Sequence, residues 1–168
     1  MFTLFKDEFK FGKRIEKSVI SEEAVTICTL IKDLVNEKFS SSLKLYVFDS
    51  GSCNGCELEL ELLFSPLYNL SSYGVEVSYD ILEADVLLVT GLMTENMYVP
   101  FELVYKKLKD PKEIITIGDC PVYATAFQDT FALKKRVDNL FPKAFHIGAC
   151  PPEPLVLLKG IHQYLKKL

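Results

Sequence analysis

The sequence has no excess of basic residues and no long hydrophobic run. Its 19 Lys and Arg are outnumbered by 23 Asp and Glu, which gives a net charge of −4. Nucleic-acid-binding domains usually present a dense basic face, so no nucleic-acid partner is expected. The longest apolar stretches are of strand length, well short of the roughly 20 residues that a transmembrane helix needs. The first residues also lack the apolar segment of a signal peptide, and we therefore expect a protein made and kept in the cytosol.

Internal repeats and low-complexity segments are absent as well. With 168 residues, 49% of them hydrophobic, the chain is long enough for one domain with a full core and too short for two to be expected. Five cysteines are an odd number. In a reducing compartment thiols serve more often as ligands, nucleophiles or core residues than as disulfides. Cys28 lies in a helical pattern, and we interpret it as a core residue.

Short apolar runs alternate with helical patterns along the chain. The helix predicted first has Ser21 as its N-cap, and the last one begins near Pro151 or Pro152. This alternation predicts an α/β fold, a three-layer sandwich with a mainly parallel sheet. The predicted strands cover 43–48, 75–81, 85–90, 114–117 and 144–147, and the predicted helices cover 21–38, 57–70, 97–108 and the C-terminal segment.

Residues 1–20 form a separate segment ahead of the predicted domain, 21–168. It mixes aromatic and apolar side chains with basic residues and is too sparse to form a core element. Such an arm suits contact with partner subunits or with a membrane surface. Packing of the arm on its own domain is an equally good interpretation.

Four cysteines follow strand-like runs that end in Gly or Ser. Cys53 and Cys56 stand in Gly-Ser-Cys-Asn-Gly-Cys-Glu, Cys120 in Ile-Gly-Asp-Cys-Pro, and Cys150 in Gly-Ala-Cys-Pro-Pro-Glu-Pro. The carboxyl ends of parallel strands meet at one edge of a sheet, where such folds bind ligands. The pattern therefore predicts that four thiols surround a single metal centre.

The spacing of these cysteines bears on the kind of centre. Cys120 follows Cys56 by 64 positions, and Cys150 follows Cys120 by 30. Zinc modules usually use two close pairs, whereas one close pair with two distant ligands suits an iron–sulfur cluster. Two alternatives stay open: a binding module with a structural zinc, and a thioredoxin-like redox pair made by the Cys-x-x-Cys alone.

The same residues carry a resemblance to a known family. Cys53-Asn-Gly-Cys56-Glu-Leu-Glu59, Gly118-x-Cys120 and Gly-Ala-Cys150-Pro-Pro-Glu-Pro154 resemble the small subunit of membrane-bound, energy-converting [NiFe] hydrogenases. They are also similar to the homologous 20 kDa, or B-type, subunit of respiratory complex I. The spaced Cys-Asn-Gly-Cys form, in place of tandem cysteines, favours the hydrogenase branch.

The resemblance implies a flavodoxin-like domain that binds one [4Fe-4S] cluster through Cys53, Cys56, Cys120 and Cys150. This cluster would be the one closest to the active site of a larger subunit. The chain would transfer electrons without catalysing bond chemistry. Glu59 matches an acidic position of the hydrogenase motif and becomes a candidate proton relay.

The resemblance also implies an assembly at the membrane. The expected partners are a [NiFe]-type large subunit, a ferredoxin-like iron–sulfur subunit and ion-translocating membrane subunits, with this chain peripheral on the cytoplasmic side. The expected reaction is ferredoxin-linked proton reduction coupled to ion translocation. After Cys120 the chain reads Pro-Val-Tyr-Ala-Thr-Ala-Phe where these families usually continue with Ala and a glycine-rich turn. Because of that departure, an electron-transfer role in a related sulfur-reducing or quinone-reducing complex stays an alternative.

Overall fold

The structure is a computed structural model that describes residues 19–124, 130–135 and 137–168. Most of the predicted N-terminal arm, residues 1–18, lies outside the described residues. The described elements, in chain order, are α1 (Glu22–Lys38), β1 (Leu43–Asp49), α2 (Gly55–Phe64), a 3₁₀ helix (Leu70–Tyr73), β2 (Val75–Val77), β3 (Val86–Thr90), β4 (Met93–Thr94), α3 (Glu95–Lys107), β5 (Glu113–Ile117), α4 (Cys120–Tyr123), β6 (Leu133–Lys135), α5 (Val137–Leu140), β7 (Phe145–Ile147) and α6 (Pro154–Lys167).

Five strands form a parallel sheet in the order β2-β1-β3-β5-β7. Every residue of the central strand β3 is buried, as expected for a parallel strand covered on both faces. This topology confirms the predicted α/β class and the flavodoxin-like three-layer sandwich, whose known members have the same strand order. A second, two-stranded antiparallel sheet pairs β4 with β6 and was not predicted.

Helices cover both faces of the parallel sheet, and each face has its own core. The first core lies under α1, α2 and α6 and includes Leu45, Leu88 and Ile115 of the sheet. The second lies under α3 and α5 and takes the alternate strand residues, among them Leu87 and Val89. Alternate side chains of one strand point to opposite faces, so the sheet supplies both cores.

The ends of several elements differ from the prediction, and proline explains two of them. Helix α2 ends at Phe64 because Ser65 precedes Pro66 and is biased away from helical geometry. Helix α6 begins at Pro154, later than the predicted Pro151 or Pro152. Strand β2 stops at Val77, shorter than predicted, and a turn follows in which the Asp80 amide donates to Ser78 Oγ at 3.2 Å. The predicted N-cap is confirmed, since Ser21 Oγ accepts a hydrogen bond from the Ala24 amide at 3.2 Å.

Candidate metal centre

The four predicted cysteines all lie beyond the carboxyl ends of parallel strands. Cys53 and Cys56 follow β1, Cys120 follows β5 and Cys150 follows β7. We call this side of the sheet the cysteine edge. Cys56 is buried, Cys120 is half-buried, and Cys53 and Cys150 are exposed. Cys28 is fully buried in the core under α1, as the sequence predicts.

The loop from Asp49 to Asn54 presents the first two thiols. Asp49 Oδ1 accepts hydrogen bonds from the amides of Gly51 (2.8 Å) and Ser52 (2.7 Å). The fully buried Ser50 donates from Oγ to the Thr90 carbonyl at 2.6 Å. These contacts fix the loop against the end of β3, the neighbour of β1 in the sheet, and so hold the start of α2 that carries Cys56.

The loops after β5 and β7 are bonded to each other. The Gly118 amide donates to the Ile147 carbonyl at 2.9 Å, and the Asp119 amide donates to the Ala149 carbonyl at 3.1 Å. In return, the Ala149 amide donates to Asp119 Oδ1 at 2.8 Å. Asp119 therefore joins the residues immediately before Cys120 and Cys150. Sequence reasoning missed this role, although the carboxylate directly before a predicted ligand was its signal.

Glycines allow the three loops to approach closely. A Cβ atom on Gly118, whose φ is +85°, would lie 2.5 Å from Cys56 Sγ. A Cβ atom on Gly55 would lie 3.5 Å from Cys53 Sγ and 3.6 Å from the Cβ of Pro151, the residue after Cys150. All three cysteine-bearing loops thus meet in one small region.

The raised pKa values of Cys56 and Cys150 are consistent with this convergence. Burial is the largest cause that raises the pKa of Cys56, to about 12, and the negative charges of Glu57 and of the other three cysteines add to it. The pKa of Cys150 is also raised, first by partial desolvation and then by the charges of Cys120 and Cys53. Cys150 and Cys120 are within side-chain hydrogen-bonding reach. A positive centre would relieve this mutual repulsion and favour the thiolates.

The donor set, four cysteine thiols, fits an iron–sulfur cluster. Among the described residues no group of three or more His, Cys, Asp and Glu is arranged to hold one metal ion. The four thiols nevertheless lie within electrostatic range of one another. A [4Fe-4S] cluster is a larger body that takes four thiolates, and the missing side chain at Gly118 lets Cys56 Sγ lie against the loop that leads to Cys120.

Helix α2 carries the acidic residues of the motif. Glu57 lies in its first turn, where a carboxylate complements the helix dipole. Glu59 is half-buried and Glu61 is exposed. The two histidines lie on β7 and α6, and His146 Nδ1 is 3.0 Å from Thr116 Oγ1.

Exposed apolar side chains follow the cysteine-bearing loops. Leu58 and Leu62 on α2 expose 58% and 37% of their surface, Tyr123 in α4 exposes 59%, and Phe131 before β6 exposes 98%. Leu58 and Leu62 are four residues apart on α2 and form a small exposed apolar pair beside the segment that carries Cys56. A parallel α/β sandwich with four cysteines at one sheet edge defines the class: a thiol-rich α/β protein whose cysteines are candidate metal ligands.

Residues 53–164 match the family described as NADH ubiquinone oxidoreductase, 20 Kd subunit. This chain belongs to that family, whose members carry an iron–sulfur cluster. The match confirms the resemblance on which the sequence interpretation rests.

Two curated relatives and one solved structure make the likeness more specific. The probable membrane-bound hydrogenase subunit mbhJ of Pyrococcus furiosus is 36% identical over 71% of this chain and 72% of its own length. Formate hydrogenlyase subunit 7 of Escherichia coli is 34% identical over 74% of this chain and 49% of its own length. A chain of the membrane-bound sulfane sulfur reductase, an archaeal respiratory membrane complex, superposes with a TM-score of 0.64 at 25% identity, covering 79% of this chain and 73% of that one.

These relatives are subunits of redox complexes, two of them named as membrane-bound. In the described part of this chain, no helix has the length and apolarity needed to cross a bilayer.

Proposed function

We propose that this chain is the electron-transfer subunit of a multisubunit, membrane-bound [NiFe] hydrogenase, and that it holds the [4Fe-4S] cluster next to the active site. Cys53, Cys56, Cys120 and Cys150 are the proposed ligands. The convergence of these thiols from three strand ends onto one edge is the observation that carries the proposal. When bound, the cluster supplies one-electron transfer.

The polypeptide's own part is to fix the ligands and to exclude water. Asp49 and Asp119 tie the cysteine-bearing loops through backbone amides. Cys53 and Cys150 are exposed in the isolated chain, so a partner has to cover them if the cluster is to be dry. Burial and surrounding hydrogen bonds tune the potential of such a cluster.

The proposed partners are a [NiFe]-type large subunit, a ferredoxin-like iron–sulfur subunit and ion-translocating membrane subunits. The proposed location is peripheral, on the cytoplasmic side of the membrane, with turnover that links ferredoxin oxidation to proton reduction and ion translocation. The hydrogenase subunit of Pyrococcus furiosus at 36% identity supports this choice of complex. The spaced Cys-Asn-Gly-Cys supports it independently.

A second candidate is the same electron-transfer role in a sulfur-reducing or quinone-reducing complex. The likeness to a chain of the sulfane sulfur reductase favours it, as does the unusual Cys120-Pro-Val-Tyr sequence after the third cysteine. The two candidates share the cluster and its ligands and differ only in the chemistry of the large subunit.

Metal analysis of the native complex tests the proposal. The complex is purified without oxygen through a tag on this chain, and iron, acid-labile sulfide, nickel and zinc are measured. Iron and sulfide with nickel are expected for a hydrogenase. Iron and sulfide without nickel would move the terminal chemistry to sulfur or quinone, and zinc alone would overturn the cluster.

Serine substitutions test the ligands one by one. Cys53→Ser, Cys56→Ser, Cys120→Ser and Cys150→Ser are each expected to lose most of the iron and sulfide. Cys28→Ser is the matched control and should retain both, with lower stability because a hydroxyl replaces a thiol in the core. Equal iron content in all five variants would refute the ligand assignment.

A further inference from the structure

A groove of about 720 Å³ runs between helix α2 and the edge of the sheet formed by β1 and β2. Its apolar surface comes from Val47, Leu60, Phe64 and Val77. Carboxylates of Glu57, Glu61 and Glu76 also line it, and none of its lining residues is basic. We call this feature the α2–β2 groove.

One of these carboxylates is buried without a hydrogen-bond donor. Both carboxylate oxygens of Glu57 are shielded from solvent, and neither accepts a hydrogen bond from a described residue. A buried, unpaired carboxylate is costly, and native proteins normally give such a group a partner. Glu57 therefore indicates a donor that the described residues do not supply.

A basic group on the neighbouring strand β1, Lys44, has another partner. Lys44 is within electrostatic range of Glu76, but its ammonium group pairs with Glu83 at 2.8 Å. Glu61 and Glu76 are both exposed at the mouth of the groove. Among the described residues, none of the three carboxylates forms a salt bridge, and Lys44, the cation within range of Glu76, is paired with Glu83.

We propose that the α2–β2 groove receives a segment of a partner subunit in which an arginine or lysine stands between apolar side chains. The aliphatic stem of such a residue would pack on Leu60 and Phe64, and its charged end would meet Glu57 once the carboxylate turns toward the groove from its shielded position. Arginine fits best, because its planar guanidinium can satisfy both oxygens of one carboxylate.

The position of Glu57 in the chain indicates which subunit of the complex would occupy the groove. Glu57 directly follows Cys56, so the groove begins at the cysteine edge, and a subunit that covers the cysteines can also occupy the groove. The inference rests on the proposed function in this one respect, that the partner belongs to the same complex. A competing occupant is the chain's own N-terminal segment, whose first 17 residues include five Lys and Arg.

Charge reversal at the mouth of the groove tests the electrostatic part. In Glu61→Arg/Glu76→Arg, recovery of the partner subunit through a tag on this chain is expected to fall about tenfold, because like charges then face each other. Glu37→Arg, a reversal of an exposed carboxylate on α1, is the matched control and should recover the partner normally. The iron content of the chain should be unchanged in both variants. Iron content and partner recovery are separate measurements, so a failure of the proposed function, seen as loss of iron, is distinguished from a failure of this inference. Unchanged recovery in the double variant would overturn the inference.

Photo-crosslinking in the intact complex identifies the occupant. A photo-crosslinking amino acid is placed at Ser71, which lines the groove, and as a control at its exposed neighbour Ser72, which does not. The expected product from position 71 joins the chain to a partner peptide that contains an arginine or lysine flanked by apolar residues. A product with residues 1–17 of the same chain, or the same products from positions 71 and 72, would overturn the inference.

Discussion

Gly118 lies so close to Cys56 that a Cβ atom on the glycine would be 2.5 Å from the cysteine sulfur. The two residues belong to loops that follow β5 and β1, strands that are separated in the sheet by β3. The Gly118 backbone also has a φ of +85°, a region that residues with a side chain rarely adopt. Both the space and the backbone conformation therefore require glycine at position 118. Any side chain there would press against Cys56, a proposed cluster ligand.

Gly118→Ala is expected to lower the iron and sulfide content of the purified chain to a small fraction of the wild-type value, because the new methyl group displaces Cys56 Sγ. Left-handed backbone strain should also cost about 1–2 kcal/mol of unfolding free energy. Gly74→Ala is the matched control: its φ is +83°, and the atom nearest to its new Cβ belongs to Val35, remote from the cysteines. Gly74→Ala should lose similar stability and keep its iron, whereas full iron content in Gly118→Ala would contradict the role given to this glycine.

Glu59 provides a separate prediction, because it is half-buried on α2 three residues after Cys56. If this carboxylate relays protons, Glu59→Gln should slow proton-linked turnover of the native complex by about tenfold or more, since the amide cannot exchange a proton. Iron content and recovery of partner subunits should stay at wild-type levels. Glu59→Asp, which keeps a titratable group, should restore much of the rate. Equal rates in the Asp and Gln variants would show that the residue does not act as a relay.

Much of the fold could be predicted because a parallel strand that is buried on both faces has a short, continuous apolar run as its sequence pattern. The strands over Leu43–Asp49 and Glu113–Ile117 match their predicted ranges within a residue or two. The pairing of β4 with β6 could not be predicted, since strands of two and three residues carry no periodicity. The end of α2 was predicted too late because the apolar pattern continues past Ser65, while Pro66 ends the helix.

The candidate site was partly predictable for a similar reason. Parallel topology places every strand's carboxyl end at one edge, so the order of strands and cysteines was enough to bring the four thiols together. The buried carboxylate of Glu57 and the bond from Ala149 to Asp119 depend on tertiary contacts. In sequence, Glu57 is also explained by the helix dipole, and nothing in the pattern separates that role from a binding role.

Tyr164 gives the chain a predictable dependence on alkaline pH. Its hydroxyl donates to Glu113 Oε2 at 3.3 Å, and burial, followed by the charge of Glu113, raises the pKa of the phenol. In the unfolded chain a tyrosine ionises near pH ~10. The folded state holds the proton more tightly, so this stabilisation is complete below pH ~10 and is lost as the pH rises from there toward the folded pKa.

Urea unfolding at a series of pH values checks this. Above pH ~10 the unfolding free energy should fall by up to about 1.4 kcal/mol per pH unit through this one group, and the slope should be shallower by that amount in Tyr164→Phe. Tyr79→Phe is the control, because the Tyr79 side chain is 94% exposed, and it should keep the wild-type slope. Identical slopes in Tyr164→Phe and the wild type would exclude Tyr164 as the source.

Gly160 sets the distance between helix α6 and strand β7. A Cβ atom on this glycine would lie 2.5 Å from Ile147 Cδ1 and 2.6 Å from Cγ1. Ile147 pairs with Ile117 in the sheet and precedes the loop that carries Cys150. Because isoleucine is branched at Cβ and has few rotamers, it cannot move aside freely. Gly160→Ala is therefore expected to destabilise the chain by about 1–3 kcal/mol through overpacking.

A double-mutant cycle shows whether the destabilisation arises at this contact. Ile147→Val removes Cδ1, the atom closest to the new methyl group, and should alone cost about 0.5–1.5 kcal/mol. If the helix and the strand collide through that atom, the double variant should be more stable than the sum of the two single effects predicts, with a coupling of about 0.5 kcal/mol or more in urea unfolding. Additive effects would exclude Cδ1 as the colliding atom and leave Cγ1 and Cγ2, which valine keeps and which lie 2.6 Å and 2.9 Å from the new Cβ. Positive coupling would show that α6 can pack this closely on β7 only because residue 160 has no side chain. The same close packing positions the end of β7, from which the Cys150 loop leads to the cysteine edge.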